Sequence, residues 1–369
     1  MADDKPIRIL CVFSTLDRGG AESMCMNLYR QIDRSRIQFD FVKHTPERGI
    51  FEDEIEALCG RVFEAPRYKI YNRLQYEKWW HAHLEAHPEH AIIHGHFFTI
   101  SSVYFKVCKQ HGRTTIAHSH CTSAPKSIID NRLKRYFKDK YIRTISEYAD
   151  IQLACSRQAG LDVFGDTSFD VLNNAIDAEV YRANQDVAEA VRSEFGLGNQ
   201  LVVGSVGRFD LQKNPYGVLE IFRQPHMRKP DSRFLWVGDG PLRAEIVRKT
   251  EEYKIDDAVI FTGVRNDVHR LLQGMDAFIF PSFYEGLGVA AVEAQAAGVY
   301  TYCSSAVPEE VKVTNLCKLL ELNNLDKWVS EIENIIPYHK HPDTYMQIKK
   351  AGYDIHDTAK WLEELYLSI

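Results

Sequence analysis

Ala277-Phe278-Ile279-Phe280 is a short unbroken apolar run. It leads straight into Pro281-Ser282-Phe283-Tyr284-Glu285-Gly286-Leu287-Gly288 and then into the small-residue stretch from Val289 to Gly298. The pattern predicts a buried strand, a glycine-broken turn and a helix closed by Gly298. A strand that stops at such a turn aims several backbone N–H groups at one point, and the helix dipole adds to their pull on an anion. Two acids flank that point. Glu285 lies in the turn, and Glu293 follows about two helical turns on, roughly 12 Å of axial rise if the segment is helical throughout. That spacing lets one carboxylate meet the sugar end of an extended ligand and the other its ribose, with phosphates between. Taken alone, it equally fits a solvated glutamate and a helix-capping one.

The same grammar recurs along the chain. Ile7 to Phe13 is a near-continuous apolar run, followed by Gly19-Gly20-Ala21-Glu22 and by Met24, Leu28 and Ile32 at helical spacing. No G-x-G-x-x-G is present, so the paired glycines predict only a close approach to the backbone or a plain tight turn. Leu201 to Gly207 runs into Arg208-Phe209-Asp210-Leu211-Gln212-Lys213-Asn214-Pro215, which sets two cations at a strand-to-helix junction with Pro215 opening the helix. That arrangement suits a diphosphate. Arg233 to Val237 ends in Gly238-Asp239-Gly240-Pro241, and Ala258 to Phe261 in Thr262-Gly263-Val264-Arg265. Each strand thus ends in a turn at one edge of a parallel sheet, the α/β arrangement in which ligands sit beyond the carboxyl ends of strands. Tyr300 to Cys303 is expected to be the last strand.

At 369 residues the chain predicts two domains. These are placed at residues 1–185 and 186–355, with an amphipathic helix over 356–369 (Trp361, Leu362, Leu365) packing back on the first. A net charge of −6 argues against a general nucleic-acid binder. No run is apolar and long enough to span a bilayer, and Met1-Ala2-Asp3-Asp4-Lys5 leads directly into a strand, so a cytoplasmic protein is expected. The eight cysteines are scattered without a C-x-x-C and read as buried thiols. Lys126 to Arg143 is basic and interleaved with apolar residues; such a face suits either an anionic membrane surface or plain solvation.

Histidines cluster at His81, His83, His87 and His90, then at His94 and His96, then at His118 and His120. Those between Glu77 and His90 read as surface residues. The later pairs raise the question of zinc, but neither has an Asp, Glu or Cys at an obvious ligand spacing, and no metal is expected. His118, where strand becomes loop, reads as a hydrogen-bonding or acid/base group facing the cleft.

Together these motifs resemble family 4 glycosyltransferases of the GT-B fold, and within them the bacterial capsular and exopolysaccharide enzymes. The resemblance spans nearly the whole chain. It is carried by Gly19-Gly20-Ala21-Glu22, Ala117-His118-Ser119-His120, Ala154-Cys155-Ser156, Val206-Gly207-Arg208-Phe209, Gln212-Lys213-Asn214-Pro215, Val237-Gly238-Asp239-Gly240-Pro241 and the Glu285 to Glu293 element. It implies two facing Rossmann-like domains with a cleft between them, and a nucleotide-sugar donor, a UDP-sugar favoured, held mainly by the second. Carried over by position, Arg208 and Lys213 would neutralise the donor diphosphate, helped by Gly207, Gly238 and the amides of Gly286, Leu287, Gly288 and Val289. Glu293 would bind the ribose, Glu285 and His118 the transferred sugar, Val264 and Arg265 would border the base, and Gly19 and Gly20 would approach the diphosphate or acceptor.

The acceptor implied is a polysaccharide or lipid-linked glycan, with peripheral attachment through Lys126–Arg143 at the inner face of the plasma membrane. The chain has no D-x-D and no obvious covalent nucleophile, which fits a retaining, metal-independent, front-face transfer. Two other readings stay open: a nucleotide-sugar epimerase or hydrolase of the same fold, and a non-catalytic nucleotide-sugar-binding protein. The loop usually written Asn-Gly-Ile-Asp in this family reads Asn174-Ala175-Ile176-Asp177 here.

Overall fold

The computed structural model describes residues 5–17, 19–96, 98–120 and 144–369. The chain divides into two compact units, Met1–Ala175 with Ile355–Ile369, and Ile176–Asp354. The second unit therefore begins at Ile176 rather than near 186. The reason is packing: Ile176 and Ala178 lie in its apolar core, and Tyr181 bonds to Glu293 within it. The join falls at Ala175, whose backbone is not among the positive-φ residues, so the missing family glycine leaves no strained alanine there.

The first unit is built on a parallel sheet of β1 (Ile7–Val12), β2 (Ile37–Lys43), β3 (Val62–Glu64), β4 (Ile92–Gly95), β5 (Thr114–Ser119), β6 (Ile151–Ala154) and β7 (Asp170–Val171). Their spatial order is β3-β2-β1-β4-β5-β6-β7. Along β1, Ile9 and Cys11 enter one core while Leu10 and Val12 enter the other, as a sheet covered on both faces requires. The helix Ile355–Leu367 belongs to the first of these cores, through Ile355, Ala359, Leu362 and Tyr366. The buried stripe is thus i, i+4, i+7, i+11, and Trp361, expected on it, stands 37% exposed.

The second unit repeats the plan with β8 (Val202–Val206), β9 (Arg233–Val237), β10 (Val259–Gly263), β11 (Ala277–Phe280), β12 (Tyr300–Ser304) and β13 (Cys317–Leu320), ordered β10-β9-β8-β11-β12-β13. β13 extends the sheet beyond the strand expected to be last, pairing in parallel with β12. In each unit a buried aspartate serves as a strut. Asp40 accepts from Arg8 Nε at 2.6 Å and contacts His90 Nε2 at 2.8 Å, and Asp276 holds Arg192 at 2.7 Å together with the amides of Val202 and Tyr338, each at 2.8 Å. Breaking either ion pair would strand a buried charge.

Two sequence expectations need correction. His83 and His90 are buried, not on the surface, because His83 lies on the core side of the helix Arg73–Ala86 and His90 serves Asp40. Of the described cysteines all are free and buried except Cys59, which is exposed in a left-handed turn at φ 65°.

The first unit buries a set of histidines as neutral rings. Burial pushes His44 down to about 4 and His94 and His120 to about 3; His83 falls to about 3 through burial and then the nearby His90. The unfolded chain takes up these protons below its ordinary value of about 6.5 while the folded chain refuses them. Stability should therefore be full above that pH and fall as pH drops toward 4, by up to roughly 1.4 kcal/mol per pH unit for each histidine. Denaturant melts at pH 7.5, 6 and 5 measure this; an unchanged midpoint across that series would contradict the buried neutral cluster.

Candidate active site

The carboxyl ends of β8, β9 and β10 are tied edge to edge. Gly207 N–H donates to Val237 O at 3.0 Å, and Gly238 N–H to Gly263 O at 2.8 Å. Gly238 has φ +135°, and a Cβ there would fall 2.0 Å from the Gly207 carbonyl oxygen. Only glycine allows that approach. Beyond Gly207 the chain stays pinned, with Phe209 N–H on Asp239 O at 3.0 Å and Leu242 N–H on Phe209 O at 2.9 Å.

A 3-10 turn, Leu211–Lys213, is capped by Asp210, which accepts from Lys213 N–H at 3.2 Å. Asn214 follows in the left-handed region. Its carbonyl oxygen Oδ1 caps the helix Pro215–Arg228 through Gly217 N–H at 3.1 Å, and its Nδ2 donates to Pro281 O at 3.1 Å. Gln212 adds two bonds to the same neighbour, accepting from Phe283 N–H at 2.9 Å and donating to Tyr284 O at 3.0 Å. The cationic loop and the Glu285 turn are therefore one hydrogen-bonded unit, and the consequence is an ion pair: Lys213 Nζ lies 2.6 Å from Glu285 Oε1 and 4.7 Å from the Phe280 ring centroid. Arg208 stands apart from that pair, largely exposed, with its guanidinium 3.2 Å from Asp210.

Past Glu285, Gly286 lies in a bend, Leu287 anchors in the core, and Gly288 turns left-handed at φ +94°. The helix Val289–Ala296 starts only there, so the stretch from Glu285 to Glu293 is not helical throughout. No side chain caps its start among the described residues, which leaves its first N–H groups as donors for an anion. Glu293 lies in the second turn, half-buried, and accepts from the Tyr181 hydroxyl at 2.8 Å. Burial raises its carboxyl, partly offset by that hydroxyl. Sequence reasoning missed Tyr181 because it falls in the segment assigned to the wrong domain. Val264, just past β10, is 61% exposed, while Arg265 is tied to Asp267 by two bonds of 2.8 Å.

In the first unit, Gly19 sits at the start of the helix Gly20–Gln31, where a Cβ would fall 2.0 Å from the Glu22 carboxylate; Gly20 faces open space. A pocket of about 760 Å³ opens nearby, with Ser14, Thr15, His44, Thr45, Arg67 and Tyr68 among its lining. His118 stands next to the strand end, as its sequence suggests, but it does not face solvent. It is the penultimate residue of β5 and lies buried, and the parallel run of β4 and β5 brings His94, His96, His118 and His120 onto one face. His94 Nε2 lies 3.2 Å from His118 Nδ1, and His96 Nδ1 2.7 Å from His120 Nε2. His94, His96 and His118 also bring ligand-type atoms within 4.8 Å of one another, but His94 has both nitrogens engaged, by Tyr366 and by His118. Lys126–Arg143 lies outside the described residues.

The same bonds assign a tautomer. The Tyr366 hydroxyl lies 2.6 Å from His94 Nδ1. If that buried hydroxyl donates, His94 carries its proton on Nε2 and donates to His118 Nδ1, so the His118 proton sits on Nε2. The opposite order would leave the Tyr366 proton buried without an acceptor, at a cost of about 1–3 kcal/mol. His118 Nε2 has no partner among the described residues, so it stands as a donor without an acceptor. Burial, then His120 and His94, hold the ring well below the usual histidine range.

A family model described as Glycosyltransferase Family 4 matches residues 18–179, and one described as Glycosyl transferases group 1 matches residues 187–351. EpsF of Bacillus subtilis (strain 168), which carries a glycosyltransferase name, is 32% identical over 97% of this chain and 96% of its own length. The chain belongs to glycosyltransferase family 4. An Escherichia coli UDP-Gal:alpha-D-GlcNAc-diphosphoundecaprenol alpha-1,3-galactosyltransferase is 29% identical over 45% of this chain and 44% of its own. Among solved structures, Anabaena Alr3699/HepE in complex with UDP and glucose matches with a TM-score of 0.77 at 17% identity, covering 98% of this chain and 100% of that one. The two parallel Rossmann-like sheets are those of a GT-B glycosyltransferase.

Two variants test the geometry. Gly238→Ala should cost roughly 2–4 kcal/mol, since the backbone oxygen it meets cannot give way cheaply; a melting temperature within a degree of wild type would refute the close approach. In Tyr366→Phe the His118 ring should lose its fixed Nε2–H form, read as a shift in its imidazole ¹⁵N resonances. Finding the proton on Nδ1 in the unmodified glycosyltransferase would overturn the order of donors.

Proposed function

We propose that this glycosyltransferase moves a sugar, with retention and without a divalent metal, from a UDP-sugar to a hydroxyl of a polysaccharide or lipid-linked glycan. The reading is carried by the Lys213–Glu285 pair, held by backbone bonds beside a helix start that has no side-chain cap. In that role Lys213 and the amides at Gly288 and Val289 take up the charge that develops on the departing diphosphate, in place already and needing no reorganisation. Arg208, exposed and paired with Asp210, adds a second cation once the diphosphate is bound. Glu285 turns to the hydroxyls of the transferred sugar, Glu293 with Tyr181 to the ribose, and the exposed Val264 to the base. His118 offers its Nε2–H to the sugar. The UDP preference is supported by the UDP and glucose of the Anabaena structure and by the UDP-Gal in the name of the Escherichia coli relative, whose diphosphoundecaprenol acceptor supports a lipid-linked one here. The pocket at Thr45, Arg67 and Tyr68 is the acceptor's place in this reading. Work on an anionic membrane surface at the inner face would follow from such an acceptor.

Thermal shifts with UDP-, GDP- and ADP-sugars should single out a UDP-sugar. Transfer from it should survive EDTA and fall about 10²–10³-fold in Lys213→Ala and in Glu285→Ala. Equal product from donor alone, with no acceptor added, would replace the transferase reading with a hydrolase or epimerase. Tight donor binding with no turnover on any acceptor would replace it with a binding protein.

A further inference from the structure

Between β3 and the helix Arg73–Ala86 the first unit shows apolar side chains to solvent at a place where nothing requires it. Tyr71 and Leu74 are each 82% exposed and Ile70 is 60% exposed. The helix buries its opposite side, through Tyr76, Trp80 and Leu84, so Leu74 points away from the core by the helical repeat. The turn that presents these residues is built, not loose. Lys69 N–H donates to Asn72 Oδ1 at 2.7 Å and Asn72 Nδ2 to Arg67 O at 3.0 Å, while Lys69 Nζ sits over the Tyr71 ring at 5.4 Å.

The charge along this segment is mostly positive. Residues 67–78 carry Arg67, Lys69, Arg73 and Lys78 against Glu77 alone, in a chain whose net charge is −6. Glu77 is spent on Arg73 at 2.8 Å. A rigid turn with apolar tips ringed by cations complements an anionic surface with an apolar interior, and it opposes pairing with a second copy, which would bring like charges together. Arg67 and Tyr68, at its edge, also line the 760 Å³ pocket.

We propose that Arg67 to Leu74 is a docking surface for an anionic lipid bilayer, with Ile70, Tyr71 and Leu74 entering the headgroup boundary and Arg67 and Lys69 meeting the lipid phosphates. It holds the adjoining pocket at the level of a lipid-borne acceptor; that clause alone rests on the proposed function. Lys126–Arg143 is not needed for it.

The test is co-sedimentation of the full chain with phosphatidylcholine vesicles, with and without about equal parts of phosphatidylglycerol, at low and high salt. Binding should require phosphatidylglycerol and weaken with salt. Ile70→Ser/Leu74→Ser should lower the partition coefficient about tenfold or more, and Lys69→Gln about fivefold. Both variants should keep the wild-type melting temperature and its shift with UDP-sugar, since these side chains are exposed. The proposal is overturned if both variants sediment like wild type, if pure phosphatidylcholine binds equally, or if binding is lost only on neutralising Lys126–Arg143. It also fails if Ile70→Ser/Leu74→Ser dissolves a dimer and leaves vesicle binding intact. Because vesicle binding and the donor-induced shift are separate readouts, failure here is distinguishable from failure of the donor reading.

Discussion

The second unit is organised by the contact of two backbones at Gly207 and Gly238. With no Cβ on Gly238, β8 and β9 end in register and the two following loops interlock through Phe209, Asp239 and Leu242. Beyond that edge, Gln212 and Asn214 bind the Arg208–Lys213 loop to the backbone of 281–284, and Lys213 is held at Glu285. Preorganisation of this kind is what charge stabilisation at a departing diphosphate requires, because a cation that must first be gathered from solvent loses much of its advantage.

The elements with strong local signals were legible in the sequence. The apolar runs of β1, β8, β9 and β11 and the glycine turns after them follow from periodicity and turn chemistry, whereas the Lys213–Glu285 pair is a tertiary contact that no local pattern shows, and Arg208 stands outside it. β13 was not legible, because a four-residue strand with an exposed lysine carries little pattern until a neighbour supplies the ladder. The domain join was misplaced for a related reason. The polar helix Gln185–Glu194 looks like the start of a unit, yet the preceding residues through Ile176 have their apolar partners in that same unit.

The candidate site divides the same way. Glu293 stands out by its spacing from Glu285, a spacing that alone fits a helix cap as well, but Tyr181, which bonds it, is 112 residues away and carries no motif. The histidines mark the limit most clearly. Sequence puts His94 and His96 on one face of a strand and His118 and His120 on one face of another, but only the parallel register of β4 and β5 makes those faces the same. Burial then turns four groups that titrate near neutrality in water into neutral hydrogen-bonding rings.

The helix Ile355–Leu367 gives that cluster its direction. A ring of neutral histidines has two proton orders of nearly equal energy, and a neighbour with one proton and no other acceptor is enough to choose between them. Tyr366 is such a neighbour: buried, with its hydroxyl held far from ionisation first by burial, and bonded to His94 alone among the described residues. Folding the end of the chain back onto the first unit thereby does two things with one residue. It completes the apolar core beside Phe39, Ala359 and Leu362, and it sets which His118 nitrogen carries the proton. A mechanism that needs a neutral donor at that position draws it from the last helix of the chain as much as from the strand on which the histidine lies.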